Sequence, residues 1–148
     1  MTPDGVESYL HEHIPLSAGM GLRVIEASED RIVVEAPLDP NVNHRETAFG
    51  GSVAALGILA GWTQVHLRLR REGCDAHTVI QESAVRYHGP IHGAFRATSE
   101  RVDQAAWDRF TRTLARRGRG RVRLTVRVEA DGVLVATFRG SYVALARR

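Results

Sequence analysis

Lysine is absent from this 148-residue chain: all 20 basic residues are arginine. Such a bias follows codon usage as readily as mechanism, so it carries no functional weight alone. Cysteine is almost absent too. The one thiol, Cys74, cannot close an internal disulfide, so no disulfide framework holds the fold. A lone thiol suits a reducing cytosol, and a cytoplasmic protein is the expectation. Long apolar runs are also missing. The longest apolar-leaning stretch, Phe49 to Trp62, is rich in Gly and Ala and falls short of the ~20 residues that span a bilayer. The opening MTPDGVESYL lacks the basic and apolar regions of a secretory leader. A soluble protein with no membrane partner is expected.

What is present is an ordinary globular composition: 43% apolar, 25% charged, 14 Gly and 5 Pro. That excludes a disordered tail, a collagen-like chain and a coiled coil. The length predicts one domain, residues 1–148. Net charge is +3, and ten of the 20 arginines lie between Arg96 and Arg127. The densest run, Arg116-Arg117-Gly118-Arg119-Gly120-Arg121, reads either as a receiver of phosphates or an acidic protein surface, or as a solvated turn.

Along the chain, Val6, Tyr9, Leu10 and Ile14 recur at helical spacing, and Pro15 ends that helix. Residues 17–21 read as a small-residue loop. Two β-branched runs, 22–28 and 31–37, flank a turn at Ser28-Glu29-Asp30 and predict a hairpin. A Pro-punctuated loop leads to Phe49-Gly50-Gly51-Ser52 and a helix to about Arg71. Gly57 and Gly61 inside that helix cost ~1 kcal/mol each against Ala. Close approach of another backbone offsets this, so the helix is expected to be buried and wrapped by a sheet. Strands follow at 78–87 and 94–102, then a short helix or an irregular crossing over 104–117. Residues 121–128 alternate strictly, with Val122, Leu124, Val126 and Val128 inward. Asp131-Gly132 predicts a tight hairpin turn into a last strand, 133–145. The fold class is α+β, an antiparallel sheet around one long central helix.

That order, with a Gly-Gly pair opening the helix, resembles the hot-dog fold of acyl-thioester enzymes. More closely, the chain resembles the thioesterase-like domain family found alone or behind an acetyltransferase domain. The resemblance rests on Glu12-His13-Ile14-Pro15-Leu16-Ser17, Met20-Gly21, Asn43-His44, Thr47 to Ser52, Gly61-Trp62, Arg86-Tyr87, Pro90-Ile91 and Gly140-Ser141-Tyr142. It implies a thioesterase or a malonyl-thioester decarboxylase. It also implies a homodimer or dimer of dimers with its site at the subunit interface, and no cofactor.

The chemistry follows from residue types. Gly50, Gly51 and Ser52 present backbone N–H groups at the positive end of the helix dipole, where the oxygen of a thioester carbonyl would gain charge. Asn43 offers a donor and an acceptor, and His44 an imidazole of the kind used in acid–base work. Either could orient water or hold a carbonyl; Asn43 could equally cap its own loop. Many hot-dog thioesterases carry an acid about two turns into the helix. Here that region reads Leu56-Gly57-Ile58-Leu59-Ala60. The nearest substitutes are Glu46 and Glu82. Glu82 alternates with Ile80 and Ala84, so a partly buried base there is the catalytic reading and a surface glutamate the bland one. Ser52 and Thr63 are weaker candidates. Gln64 and His66 either line a tunnel or pack. Phe49, Gly50, Trp62 and Tyr87 are expected to contact substrate. Arg117, Arg119 and Arg121 are expected to receive the phosphates of acyl-CoA or the acidic surface of an acyl carrier protein.

Other constellations fail. His11-x-His13 has no third metal ligand at a known spacing. Cys74 follows a helix C-terminus, which raises a thiol pKa. Gly118-x-Gly120 lacks the third glycine of a dinucleotide loop. The arginines lack the interleaved aromatics of a single-strand nucleic-acid binder. An acyl-thioester enzyme and a non-catalytic acyl-thioester binding module remain. Without a helix acid, hydrolysis needs its water activated elsewhere. Decarboxylation needs only a hole for the enolate oxygen.

Overall fold

The computed structural model describes residues 1–147. Helix α1 (Pro3–His13) begins with a Thr2 side chain accepting from the Gly5 amide at 3.1 Å. Proline opens it and it buries Val6 and Leu10. Residues 17–21 are not simply a loop. Pro15 starts a second short helix, α2 (Pro15–Gly19), because its fixed φ suits the first helical position. Only Gly21, at φ 71°, turns the chain out of it.

Six strands form one antiparallel sheet in the order β1-β2-β4-β5-β6-β3. They are β1 (Arg23–Ala27), β2 (Arg31–Ala36), β3 (Ala76–Tyr87), β4 (Phe95–Glu100), β5 (Arg119–Ala130) and β6 (Val133–Ala146). In β5 the arginines are exposed while Val122, Leu124, Val126 and Val128 are buried, as the alternation predicted. Asp131 and Gly132 sit at φ 51° and 74°, which a two-residue turn of this hand requires.

The two sheet edges differ. β1 has five residues and a bulge between Val24 and Glu26. From α1, the Glu7 carboxylate accepts from the Val24 amide at 2.8 Å, and the His11 Nε2–H donates to the Leu22 carbonyl at 2.8 Å. β3 has 12 residues and only β6 beside it.

Helix α3 (Gly50–Arg71), 22 residues long, runs through the concave side of the sheet. Gly57 and Gly61 are the notches that allow this. A Cβ at Gly57 would lie 2.8 Å from the Phe138 ring, and one at Gly61 would strike the Tyr142 hydroxyl. That hydroxyl donates to the Ile58 carbonyl at 2.7 Å, and burial pushes its pKa up. At the far end, Arg68 is 5% exposed. Its guanidinium lies 4.2 Å over the Trp107 ring and donates to the Gln104 side chain at 2.9 Å. Trp107 Nε1–H donates to the Glu72 carboxylate at 3.0 Å. Trp107 and Gln104 belong to α4 (Gln104–Arg117), so α4 seals the C-terminal end of α3. Among the described residues no helix is long and apolar enough to cross a membrane.

Candidate active site at the start of the central helix

The chain reaches α3 through a fastened loop. A 3-10 turn (Asp39–Asn41) ends on Asn41, which is buried and donates from Nδ2 to the carbonyls of Met20 and Pro37 at 2.9 and 2.8 Å. The Phe49 amide donates back to the Asn41 carbonyl at 2.7 Å, and the Ala48 amide to the Ile91 carbonyl at 3.0 Å. Phe49 is extended, at φ −62° and ψ 130°, and no side chain caps the helix.

The lack of a cap matters because the first amides of a helix have no partner inside it. Ser52 and Val53 both donate to the Phe49 carbonyl, at 2.9 and 3.2 Å. The Ser52 amide, expected to be free, is therefore occupied. The Gly50 and Gly51 amides make no hydrogen bond among the described residues. They sit at the positive end of a 22-residue helix dipole. Beside them opens a largely apolar cavity of about 250 Å³, lined by Phe49, Gly51, Ser52 and Ala55 together with Leu16 and Met20. Neither glycine tolerates a side chain freely: a Cβ at Gly50 would lie 3.3 Å from the Tyr87 hydroxyl, and one at Gly51 would strike the Phe49 ring. Tyr87 donates its hydroxyl to the Gly50 carbonyl at 2.8 Å, tying the end of β3 to the helix start.

The expected site residues divide. Phe49, Gly50, Gly51, Ser52 and Tyr87 come together here. Asn43 lies on the adjoining loop, but its carboxamide is engaged by that loop. Oδ1 accepts from the amides of Arg45 and Thr47 at 2.8 and 3.2 Å, and Nδ2 donates to Thr47 Oγ1 at 2.8 Å. Its observed contacts are those of a loop organiser rather than a side chain aimed at substrate. His44 is exposed beside it, and Glu46, also exposed, takes a positive φ of 63°.

Glu82 is elsewhere. A bulge between Ile80 and Glu82 breaks the alternation: Ile80 pairs with buried Tyr142, but Glu82 pairs with Ser141, which pairs with Arg123. Glu82 is thereby exposed on the outer face of the sheet, the face of Arg123 and Arg139. The expectation of a partly buried base there is corrected. Trp62 lies about 18 Å along the helix from Gly50. Its Nε1–H donates to the Thr78 carbonyl at 2.7 Å, and its ring stacks on His66 at 4.4 Å. His66 stacks in turn on Tyr9, and burial, reinforced by Arg70, Arg147 and His13, lowers its pKa to about 4. Gln64 is likewise buried. Arg117, Arg119 and Arg121 lie at the other end of the sheet. Arg119 is in register with Leu145 and His77, whereas Tyr87 is in register with Ala136 and Val128; the nine residue steps between them along β5 span about 30 Å. One protomer does not bring these arginines to Gly50.

The wall formed by Leu16 and Met20 was missed in the sequence, because α2 was not foreseen. Pro15 in the first-helical position was the available signal. His11 and His13 are each spent on a backbone carbonyl. Cys74 is a free thiol whose pKa is pushed up by burial and by Glu72.

The sequence matches the family model described as "Putative thioesterase (yiiD_Cterm)" over residues 4–146. The chain belongs to this thioesterase family. It superposes on a protein of unknown function from Chlorobaculum tepidum TLS with a TM-score of 0.91 and 28% identity, covering 99% of this chain and 98% of that one. A putative thioesterase from Shewanella oneidensis gives 0.85 and 28%, covering 97% and 96%. A Pseudomonas aeruginosa protein described as a "Probable Thioesterase" gives 0.83 at 18% identity, covering 99% and 97%, and supports the fold alone. The sheet wrapped around α3 is thus a hot-dog fold, and the chain is a member of this family by sequence and architecture.

Proposed function

We propose that this chain acts on acyl thioesters carried by CoA or an acyl carrier protein, with the carbonyl oxygen held by the Gly50 and Gly51 amides. The observation that carries the reading is the pair of uncapped amides at the start of α3, with Gly51 in the wall of an apolar cavity. In hydrolysis, water adds to the carbonyl carbon, charge collects on the oxygen facing the amides, and the carbon–sulfur bond breaks to release the thiol. Each such donor is worth ~10²–10³ in rate. His44 and Glu46 are the titratable side chains nearest in sequence that could take the proton from water.

A second reading has its own support. No carboxylate stands on the second turn of α3, and Glu82 faces away from it. Decarboxylation of a malonyl thioester needs no base. The bond to the carboxylate breaks, its electron pair passes to the enolate oxygen at the same amides, carbon dioxide leaves, and the carbon then takes a proton from solvent.

The site is completed by a second copy. β3 is long, exposed and open along one side, whereas β1 is short, with its Val24 amide taken by Glu7 and the preceding Leu22 carbonyl by His11. An open edge of that length is a template for pairing, so two protomers join β3 to β3 about a two-fold axis. The free thiol Cys74 suits a cytoplasmic setting.

The test is incubation with simple acyl thioesters and malonyl thioesters, with mass detection of products. Free thiol reports hydrolysis, and loss of carbon dioxide with the thioester intact reports decarboxylation. Tight binding with neither product would make the protein a non-catalytic carrier of acyl thioesters and overturn the enzymatic reading.

A further inference from the structure

Charge is segregated on this molecule. The seven arginines from Arg109 to Arg123 have no acidic residue among them in sequence. The chain carries +3, so this segment is +7 and the remainder −4. None of the seven forms an ion pair among the described residues, although other arginines do, for example Arg31 with Glu26 and Arg96 with Glu35. All seven are exposed. They spread over the outer side of α4 and the first half of β5, with shallow concavities of about 340 Å³ between Arg109, Arg112 and Arg116 and about 250 Å³ between Arg117 and Arg121. The face runs about 12 Å along the helix and about 13 Å along the strand. That is wider than one diphosphate needs, and it matches one face of an acidic protein helix.

Within one protomer this face is about 30 Å from Tyr87, as given above, and serves no site. Pairing of two β3 strands changes that. A two-fold axis makes the strands antiparallel and, with the axis near the middle of β3, sets Tyr87 of one copy opposite the start of β3 in the other. The start of β3 is in register with Arg119 through Leu145. Arg119 then lies three strand spacings, about 14 Å, from the other copy's Tyr87. The helices agree. The same axis sets the C-terminal end of one α3, which α4 seals through Arg68 and Trp107, towards the N-terminal end of the other.

We infer that the arginine face of α4 and β5 in one subunit docks an acidic thioester-carrying protein and delivers its acyl group to the helix start of the other subunit. The inference rests on the proposed thioester chemistry and deepens it by naming the carrier and the subunit that receives it. Complementary charge of this kind raises the encounter rate and fixes orientation, and it weakens with salt.

The experiment compares three acyl thioesters of one acyl group: on N-acetylcysteamine, on CoA and on a purified acyl carrier protein. The variant is Arg112→Glu/Arg116→Glu/Arg119→Glu. The expected result is a KM at least tenfold higher for the carrier-borne thioester and changes within threefold for the other two. An equal rise for CoA would assign the face to nucleotide phosphates and overturn the inference; so would no rise for the carrier protein. If the unaltered enzyme turns over none of the three, the thioester reading itself fails and this one falls with it. A mixed dimer then tests delivery between subunits, pairing one Gly50→Pro subunit with one triple-variant subunit. It is expected to show about half the unaltered turnover of carrier-borne thioester, because the intact face of the first subunit serves the intact site of the second. Activity no higher than either variant homodimer would show that face and site act within one chain, and would overturn the inference.

Discussion

Four glycines stand in one helix, and they are used in opposite ways. Gly57 and Gly61 are buried under Phe138 and Tyr142, where the missing Cβ lets the sheet close on the helix. Gly50 and Gly51 stand at the open end, beside Tyr87 and Phe49, where two amides are left without a partner among the described residues. The first pair is a packing device whose loss should lower stability. On the proposed reading the second is a chemical device whose loss should lower turnover more than stability.

The sharpest way to break this comparison is Gly50→Pro. Phe49 is already extended, as a residue before proline must be, and the first helical position accepts proline well. The substitution deletes one N–H, and its Cβ, like that of alanine, would lie 3.3 Å from the Tyr87 hydroxyl, so Gly50→Ala is the control for that contact. Turnover should fall about 10²–10³-fold, with a melting temperature close to the unaltered one. Gly50→Ala keeps the N–H and should fall far less. Equal losses in the two variants, measured as kcat/KM, would dismiss the amide as a participant.

Next in size is Gly61→Ala. The new methyl strikes the Tyr142 hydroxyl and breaks its bond to Ile58. Overpacking of that kind costs about 1–3 kcal/mol, partly offset by ~1 kcal/mol of helix propensity. Calorimetry should show a melting temperature lower by about 3–8 °C, with turnover retained well below it. Asn43 gives a smaller effect. Asn43→Asp keeps the oxygen that accepts from Arg45 and Thr47 and should hold most of the activity, while Asn43→Ala loosens the loop at about 1 kcal/mol. If Asp proves as inactive as Ala in steady-state assays, the side-chain N–H touches substrate after all. The smallest signal concerns His66. Its ring is kept neutral in the folded protein with a pKa of about 4 against an ordinary 6.5. The folded state therefore takes up that proton later than the unfolded chain. Its stability contribution is complete above pH 6.5 and drains as pH falls towards 4. Thermal unfolding across that range should be less pH-dependent in His66→Phe; an unchanged slope would assign the acid sensitivity elsewhere.

Much of the architecture was readable because it repeats or punctuates. The Val-Arg alternation of β5, the Asp131-Gly132 turn and the glycine-notched helix each have one simple structural solution, and the structure adopts it. The site was half readable. The Gly-Gly pair marks the helix start, yet only coordinates show that Ser52 donates to Phe49 and that Asn43 is spent on its own loop. Glu82 was left between two readings because an alternation argument assumes an unbroken strand; a single extra residue at Gln81 breaks it and gives the surface one. α2 escaped because five residues are too few to show a period. The arginine run announced its charge in sequence, but its distance from Gly50 depends on strand register, which sequence does not display.

One detail of α1 reaches beyond its own packing. Glu7 takes the Val24 amide of β1 and His11 the carbonyl of Leu22 just before it, so the short flank of the sheet has less free ladder to offer than β3. If two long flanks meet as proposed, the margins left on the joined sheet are the two short ones. On that proposed pairing, strand-by-strand accretion of further copies would have only these two short margins to start from, which favours a closed pair over a fibre.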